Sequence, residues 1–402
     1  MKTRLLFSLL LALLGASAGA ADSAAETYGK PELQYAWTRS MWEFRNEAER
    51  QDYLAQQIYK KAPLHGVKLD RHDNIYLSVA RILDGRVPAT LNRLIVKDGV
   101  PLLQPFPDWQ SNRLGDPQAL QNVLGFAIDK KNRMWILDQG FAGGVEQTPD
   151  GAQKIVVLDL DSGQELKRFT IADDLADRNT SFLNDIVVDE RRQLAYLSDS
   201  GSRAAGRAAG AIIVYDFKTN SARRVLDRSS VTSDDRARPL QVNGEAVFPG
   251  NPLKVGINGI TLSPDGRRLY WSITTGDAVY SVATRHLRDA SMTDAQLQKK
   301  VRGPLRIGGG SDGLTIDDVG QVYITNISKN ALQMFDPKSK RLRTLASGAD
   351  MVWPDSMGWD SKGGLWLSTN HLNHAFAGTM DFDTQVANFR LWRIQTPHHR
   401  LN

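Results

Sequence analysis

Six copies of one hairpin pattern run along this chain, and they restrict its fold more than any other feature. They are "LHGVKLDRHDNIYLS" from residue 64, "VLGFAIDKKNRMWIL" from 123, "LNDIVVDERRQLAYLS" from 183, "INGITLSPDGRRLYWS" from 257, "SDGLTIDDVGQVYIT" from 311 and "PDSMGWDSKGGLWLS" from 354. Each opens on a polar–Gly or similar pair and alternates to an Asp or Ser. It then turns through Gly, Asn or Arg into a second strand with an aromatic: Tyr76, Trp135, Tyr196, Tyr270, Tyr323 or Trp366. Alternation bounded by turn residues is the mark of a β-hairpin. A second hairpin follows most copies, as in "AIIVYDFKTNSARRVL" and "ALQMFDPKSKRLRTL". Four strands repeated with variable loops predict an all-β fold, a six-bladed β-propeller with four-stranded antiparallel blades. Two packed β-sandwiches would leave six copies in register unexplained. The longest spacing holds "DRSSVTSDDRARPLQVNGEAVFPG", read as a loop crossing one face. Helix is expected only over 47–61 and 292–301.

The ends and the charge bound where such a chain works. Residues 1–21 read as a secretory signal peptide: Lys2 and Arg4 precede the apolar run Leu5 to Leu14, and "ASAGAA" offers cleavage sites. The run is too short to span a bilayer. The mature chain, 22–402, is expected as one soluble domain, periplasmic or extracellular and monomeric, with no membrane association after cleavage. Without Lys2 and Arg4, 48 basic side chains face 45 acidic ones, and none form a run of five or six, so no nucleic-acid partner is expected. With no cysteine, stability must come from packing rather than disulfides.

The repeat separates scaffold from site. The residue closing the first strand is Asp70, Asp129, Asp189, Ser263, Asp317 or Asp360. Each starts a turn, where Asp accepts bonds from nearby backbone, so these are read as structural. Five residues upstream stand His65, Leu124, Asn184, Asn258, Asp312 and Asp355. The first strand of a propeller blade lines the central channel, so this position should form a ring at one end of the axis. Two carboxylates and two amides, Asp312, Asp355, Asn184 and Asn258, suit an oxygen-seeking divalent cation such as Ca²⁺. His65 could then move a proton and Asp312 take part in catalysis. Equally, the ring could cap strand ends and hold channel water. "GGGSDG" opens a strand and not a helix, His371 and His374 lack a third ligand nearby, and Ser198 and Ser200 lack a nucleophile elbow.

The stretches "LQYAWTRSMWEF", "GRVPATLN", "PLLQPFPDWQ" and "RMWILDQG" resemble the Yellow / major royal jelly protein family over about residues 32 to 395. That resemblance implies a secreted six-bladed propeller whose N-terminal segment, 22–62 with Trp37 and Trp42, helps close the ring. The family's activities include dopachrome conversion, storage-like roles and binding of biogenic amines. The leader is of bacterial type, and the cysteines common in insect members are missing. "NGITLSPDGRRLYW" and "SDGLTIDDVGQVYIT" are similar, more distantly, to gluconolactonase propellers. That likeness implies Asn258 and Asp312 as metal ligands and Asn184 as a substrate contact. The expected metal-binding Glu of the first blade is replaced here by His65, with Asp355 as the acid that would stand in for it.

Three functions therefore stay open for a small-molecule site at one channel mouth. One is a metal-dependent lactonase-type hydrolase. The second is a non-catalytic binder of amines or aromatics, with Asp312 and Asp355 pairing an ammonium, Asn184 contacting the ligand and Trp353 stacking. The third is a dopachrome-type tautomerase.

Overall fold

The computed structural model describes residues 27–206 and 208–398; the expected leader at 1–21 lies outside the described residues. Six four-stranded antiparallel sheets are present, together with one small hairpin, Gln241–Val242 and Glu245–Ala246. The innermost strands are Val67–Leu69, Val123–Ile128, Leu183–Asp189, Ile257–Leu262, Leu314–Ile316 and Pro354–Trp359. Each touches the next, and the last touches the first, so the six blades form a closed ring about an axial channel.

Blades 1 to 5 take their four strands in chain order, whereas blade 6 borrows its outermost strand, Glu32–Trp37, from the N-terminal end. That strand pairs antiparallel with Phe389–Gln395, placing Trp37 opposite Phe389. Joining the two ends of the chain in one sheet leaves the ring without a seam of unpaired backbone. The segment then crosses to blade 1, where Trp42, Tyr53 and Tyr59 enter the blade's apolar core.

Helix is sparse. The longest stretch, Glu47–Ala55, begins on an Asn46 cap and stops before Gln57, whose φ of 54° is incompatible with a right-handed helix. Residues Ile58–Lys61 form only a 3₁₀ turn, so the expected 47–61 helix is shorter than its pattern suggests. Asp294–Gln298 has a reciprocal Thr293–Gln296 capping box. Two short helices, Thr284–Arg288 and Leu372–Ala377, were not expected. No helix among the described residues is long and apolar enough to cross a membrane.

The recurring turn aspartates hold the hairpins together. Asp317 accepts the backbone N–H of Val319 (3.2 Å) and Gln321 (2.8 Å) and the hydroxyl of Tyr323 (3.2 Å). Asp70, Asp129 and Asp360 repeat this, each taking two turn N–H groups and the Tyr76, Trp135 or Trp366 donor of the next strand. The repeated aromatic is thus a buried wedge whose polar end is answered by the turn. Asp317→Ala should lower stability by about 1–3 kcal/mol, because it strands the Tyr323 hydroxyl and two turn amides. An unchanged urea midpoint would refute this role.

Candidate functional site

The inner strands are irregular where the channel opens. In blades 2, 3, 4 and 6 the ladder with the second strand slips between Val123 and Phe126, Leu183 and Ile186, Ile257 and Ile260, and Pro354 and Met357. Each slip contains the ring position and its successor, so a bulge re-aims one side chain toward the axis. The next blade then comes very close: a Cβ on Gly313 would lie 2.0 Å from the Asp355 carbonyl oxygen. Glycine is required there by that approach.

All six ring residues, His65, Leu124, Asn184, Asn258, Asp312 and Asp355, line one cavity of about 530 Å³. Its floor is a hydrogen-bonded network. Asp312 Oδ1 accepts from Asn258 Nδ2 (2.7 Å) and Thr274 Oγ1 (3.0 Å), and its Oδ2 accepts from Trp353 Nε1 (2.5 Å). Asp355 Oδ2 accepts from Asn370 Nδ2 (2.6 Å), which also donates to the Leu64 carbonyl. Asn184 Nδ2 donates to Ser200 Oγ. Burial pushes Asp312 up to about 6, against the Trp353 and Thr274 hydrogen bonds that favour its charge. Burial and then the Asp312 charge hold Asp355 well above the usual carboxylate range. Burial and the repulsion between the two charges therefore disfavour ionising both carboxyls at once.

His65 is 1% exposed, and its Nδ1 accepts the Ala80 backbone N–H (3.3 Å), leaving the ring proton on Nε2. That Nε2 has no protein partner. Burial lowers its pKa to about 3 despite the nearby Pro63 carbonyl. Burial therefore holds the imidazole in its neutral form. Trp353 departs from expectation: it is 1% exposed and turns its indole N–H edge to Asp312 instead of offering a face for stacking. Its φ of 51° is rare for a bulky residue and is held by that bond and by the edge-on Phe376 ring.

Two charged residues beneath the ring were missed. Asp185 follows Asn184 where the other copies have Gly66, Gly125, Gly259, Gly313 or Ser356, and Lys68 is the single charged residue three places beyond the ring position. Both line the cavity floor. Lys68 Nζ donates to the Met357 carbonyl (2.7 Å) and Ser356 Oγ (3.3 Å). Burial raises Asp185, and the Lys68 charge is the largest influence pulling it back. The same internal comparison that found the ring would have found them. The wall was illegible: Phe141, Phe182 and Phe248 come from loops without a period and Phe376 from the short helix Leu372–Ala377.

A Ca²⁺ ion takes six to eight oxygens at about 2.3–2.6 Å, and the floor does not fit that need. Asp312 already receives three donors, Asn258 turns its nitrogen toward Asp312, and Lys68 fixes a positive charge beside the acids. Among the described residues no three His, Asp or Glu side chains are grouped to hold a metal. As hydrogen-bonded here, Asn184, Asn258, Asp312 and Asp355 do not form the oxygen cage expected for a divalent cation. His371 and His374 have ring centroids 6.2 Å apart and belong to no such group.

Comparison with known proteins agrees with this architecture. The family model described as Major royal jelly protein matches residues 121–402. Major royal jelly protein 1 of Apis mellifera is 28% identical over 262 residues, covering 64% of this chain and 58% of that protein. The chain thus spans little more than half the length of that relative. Protein yellow of Drosophila melanogaster is 26% identical over 382 residues, covering 90% of this chain and 68% of the relative. Among solved structures, a calcium-binding regucalcin of Agrobacterium tumefaciens superposes with a TM-score of 0.51 at 13% identity, covering 85% of this chain and 93% of its own. A propeller provisionally named a gluconolactonase gives 0.51 at 12% identity, with 94% and 95% covered. At such identities these structures bear on the fold alone.

Proposed function

We propose, from the premise that this chain belongs to the major royal jelly protein family, that it binds a small protonated aromatic amine at the channel mouth. The observation that carries this reading is the Asp312–Asp355 pair at the floor of an aromatic-walled cavity. Lys68 acts on Asp185 and on Asp355, whereas no cation figures among the influences on Asp312. An ammonium arriving there would supply the missing counter-charge, and the phenyl walls would cover the ligand's ring. The leader at 1–21 would deliver the protein to the periplasm or beyond.

Tryptamine should bind at micromolar concentrations at pH 7.5, and 3-ethylindole, its neutral counterpart, at least tenfold more weakly. The pH dependence has a definite sign. The ligand stays protonated, while Asp312 takes up its proton as pH falls through about 6. Affinity should therefore hold above pH 7 and drop by up to about tenfold per unit below 6. Calorimetry across pH 5 to 8 tests this. Equal affinity for the neutral counterpart, or calcium-dependent lactone hydrolysis, would overturn the reading.

One observation favours a second reading, dopachrome-type tautomerisation. Asp312 and Asp355 are pushed apart so that one is a carboxylate and the other an acid near neutrality, which is the division of labour a proton transfer between two carbons requires. Dopachrome turnover lost in Asp355→Asn would support it, and absence of turnover in the wild-type protein would end it.

A further inference from the structure

Among the residues that line the cavity, Arg203 is a half-buried guanidinium without an acidic partner. It lies 4.0 Å from the centroid of the Phe141 ring, and its Nη1 donates to the Arg178 carbonyl (2.7 Å). The stack and the hydrogen bond fix its plane from two sides. Its Nε and Nη2 have no protein acceptor, and no carboxylate lies within 4 Å of it among the described residues. Arg133, Arg224 and Arg393, also half-buried, each sit on an aspartate, whereas Arg223 and Arg268, which do not line the cavity, spend donors on carbonyl or hydroxyl oxygens. Burial lowers the Arg203 pKa, with Asp177 and Asp199 opposing only at a distance. Lys254 lines the same cavity. A desolvated guanidinium held in one orientation with free N–H groups is a preorganised receptor for an oxyanion.

We infer that the ligand carries two charges of opposite sign at the ends of an aromatic body: an ammonium set on Asp312 and Asp355, and a carboxylate or similar oxyanion received by Arg203. This rests on the amine-binding reading and narrows it, since a simple arylalkylamine would leave the Arg203 N–H groups unanswered. The anion-bearing ligand answers both the acidic pair and Arg203, which line one cavity together with Phe141, Phe182, Phe248 and Phe376. Arg203 is then the residue that sets specificity among amines.

The test uses 4-(aminoalkyl)benzoic acids with one to four methylenes, each paired with its 4-methyl counterpart, which lacks only the anion. In the wild-type protein at least one acid should bind about tenfold more tightly than its methyl partner. Arg203→Met should remove that ratio, read within the variant against its own affinity for the methyl compound, and Arg203→Lys should keep part of it. Raising salt should reduce the gain more than the underlying amine affinity. No gain from any acid in the wild-type protein would overturn the inference while sparing the amine site. A gain that survives in Arg203→Met, or equal losses for both members of a pair, would overturn it as well. Should neither acids nor methyl compounds bind at all, the amine-binding reading falls and the inference falls with it.

Discussion

Asp312→Asn is expected to weaken binding of a protonated arylalkylamine at least a hundredfold while the propeller stays folded. Removing the buried charge that meets an ammonium costs about 2–5 kcal/mol of binding. The fold should tolerate the change because the network can be rebuilt. The new amide keeps an oxygen for Trp353 Nε1, and a flipped Asn258 together with a rotated Thr274 hydroxyl meets its NH₂ group. Burial also raises the Asp312 pKa, so the folded state binds its proton more tightly than the unfolded chain does. Its ionisation therefore costs stability, and that cost appears as pH rises from the ordinary carboxylate range through about 6. At pH 7 the variant is free of it. Asp312→Ala differs, since it strands the Trp353 N–H and should lose about 1–3 kcal/mol besides affinity. Calorimetry with tryptamine beside urea unfolding separates the two. If Asp312→Asn keeps wild-type affinity, the ring does not hold the ammonium. Asp355→Asn should weaken binding less, because Asp355 is already held protonated by burial and by its neighbour.

How much of this was legible in the sequence follows from what each element needs. The blades were, because every hairpin repeats the same alternation and an Asp that must bond its own turn. The ring position was, because six copies put different polar residues at one geometric place. Asp185 and Lys68 obeyed the same logic and were passed over, since attention stayed on one position of the repeat. Closure by Glu32–Trp37 has no local signature: it pairs with residues more than 350 positions away, and only the family resemblance suggested it. The cavity wall lies partly in loops whose phenylalanines follow no period, so Phe141 and Phe248 could not be told from core residues. Residue types alone did not show the hydrogen bonding that bears on the metal expectation. Oxygen-bearing residue types were correctly placed, but composition does not show that Trp353, Thr274 and Asn258 already occupy the Asp312 oxygens.

Asp138→Ala should be among the most destabilising single changes in the chain, lowering stability by about 3–5 kcal/mol without directly touching the cavity. Asp138 sits in "WILDQG" and is fully buried. It accepts the backbone N–H of Asn122 (2.9 Å) and Gly140 (2.9 Å) on Oδ1, and that of Gln121 (2.8 Å) and the Lys154 ammonium (2.8 Å) on Oδ2. Lys154 is as deeply buried, with the Ala119 and Ala152 carbonyls as its other acceptors. Truncating the acid leaves an unpaired ammonium and three stranded amides. Lys154→Met should cost less, because the carboxylate keeps three N–H donors. The double change Asp138→Asn with Lys154→Met should cost less than the single changes add up to. Beside this pair, Arg81 spends all its donors on the carbonyls of Val87, Pro88, Asn112, Leu120 and Gln121, and so clasps "GRVPATLN". The stretches that carry the family resemblance most specifically are therefore devoted to holding one loop layer of the ring. On the proposed reading, ligand choice falls to Asp312, Asp355 and Arg203, outside those stretches, so a scaffold of this kind could keep its shape while its ligand changes. Urea unfolding of the four variants decides the point: additive losses, or a loss under about 1 kcal/mol for Asp138→Ala, would mean that the buried pair does not hold the layer together.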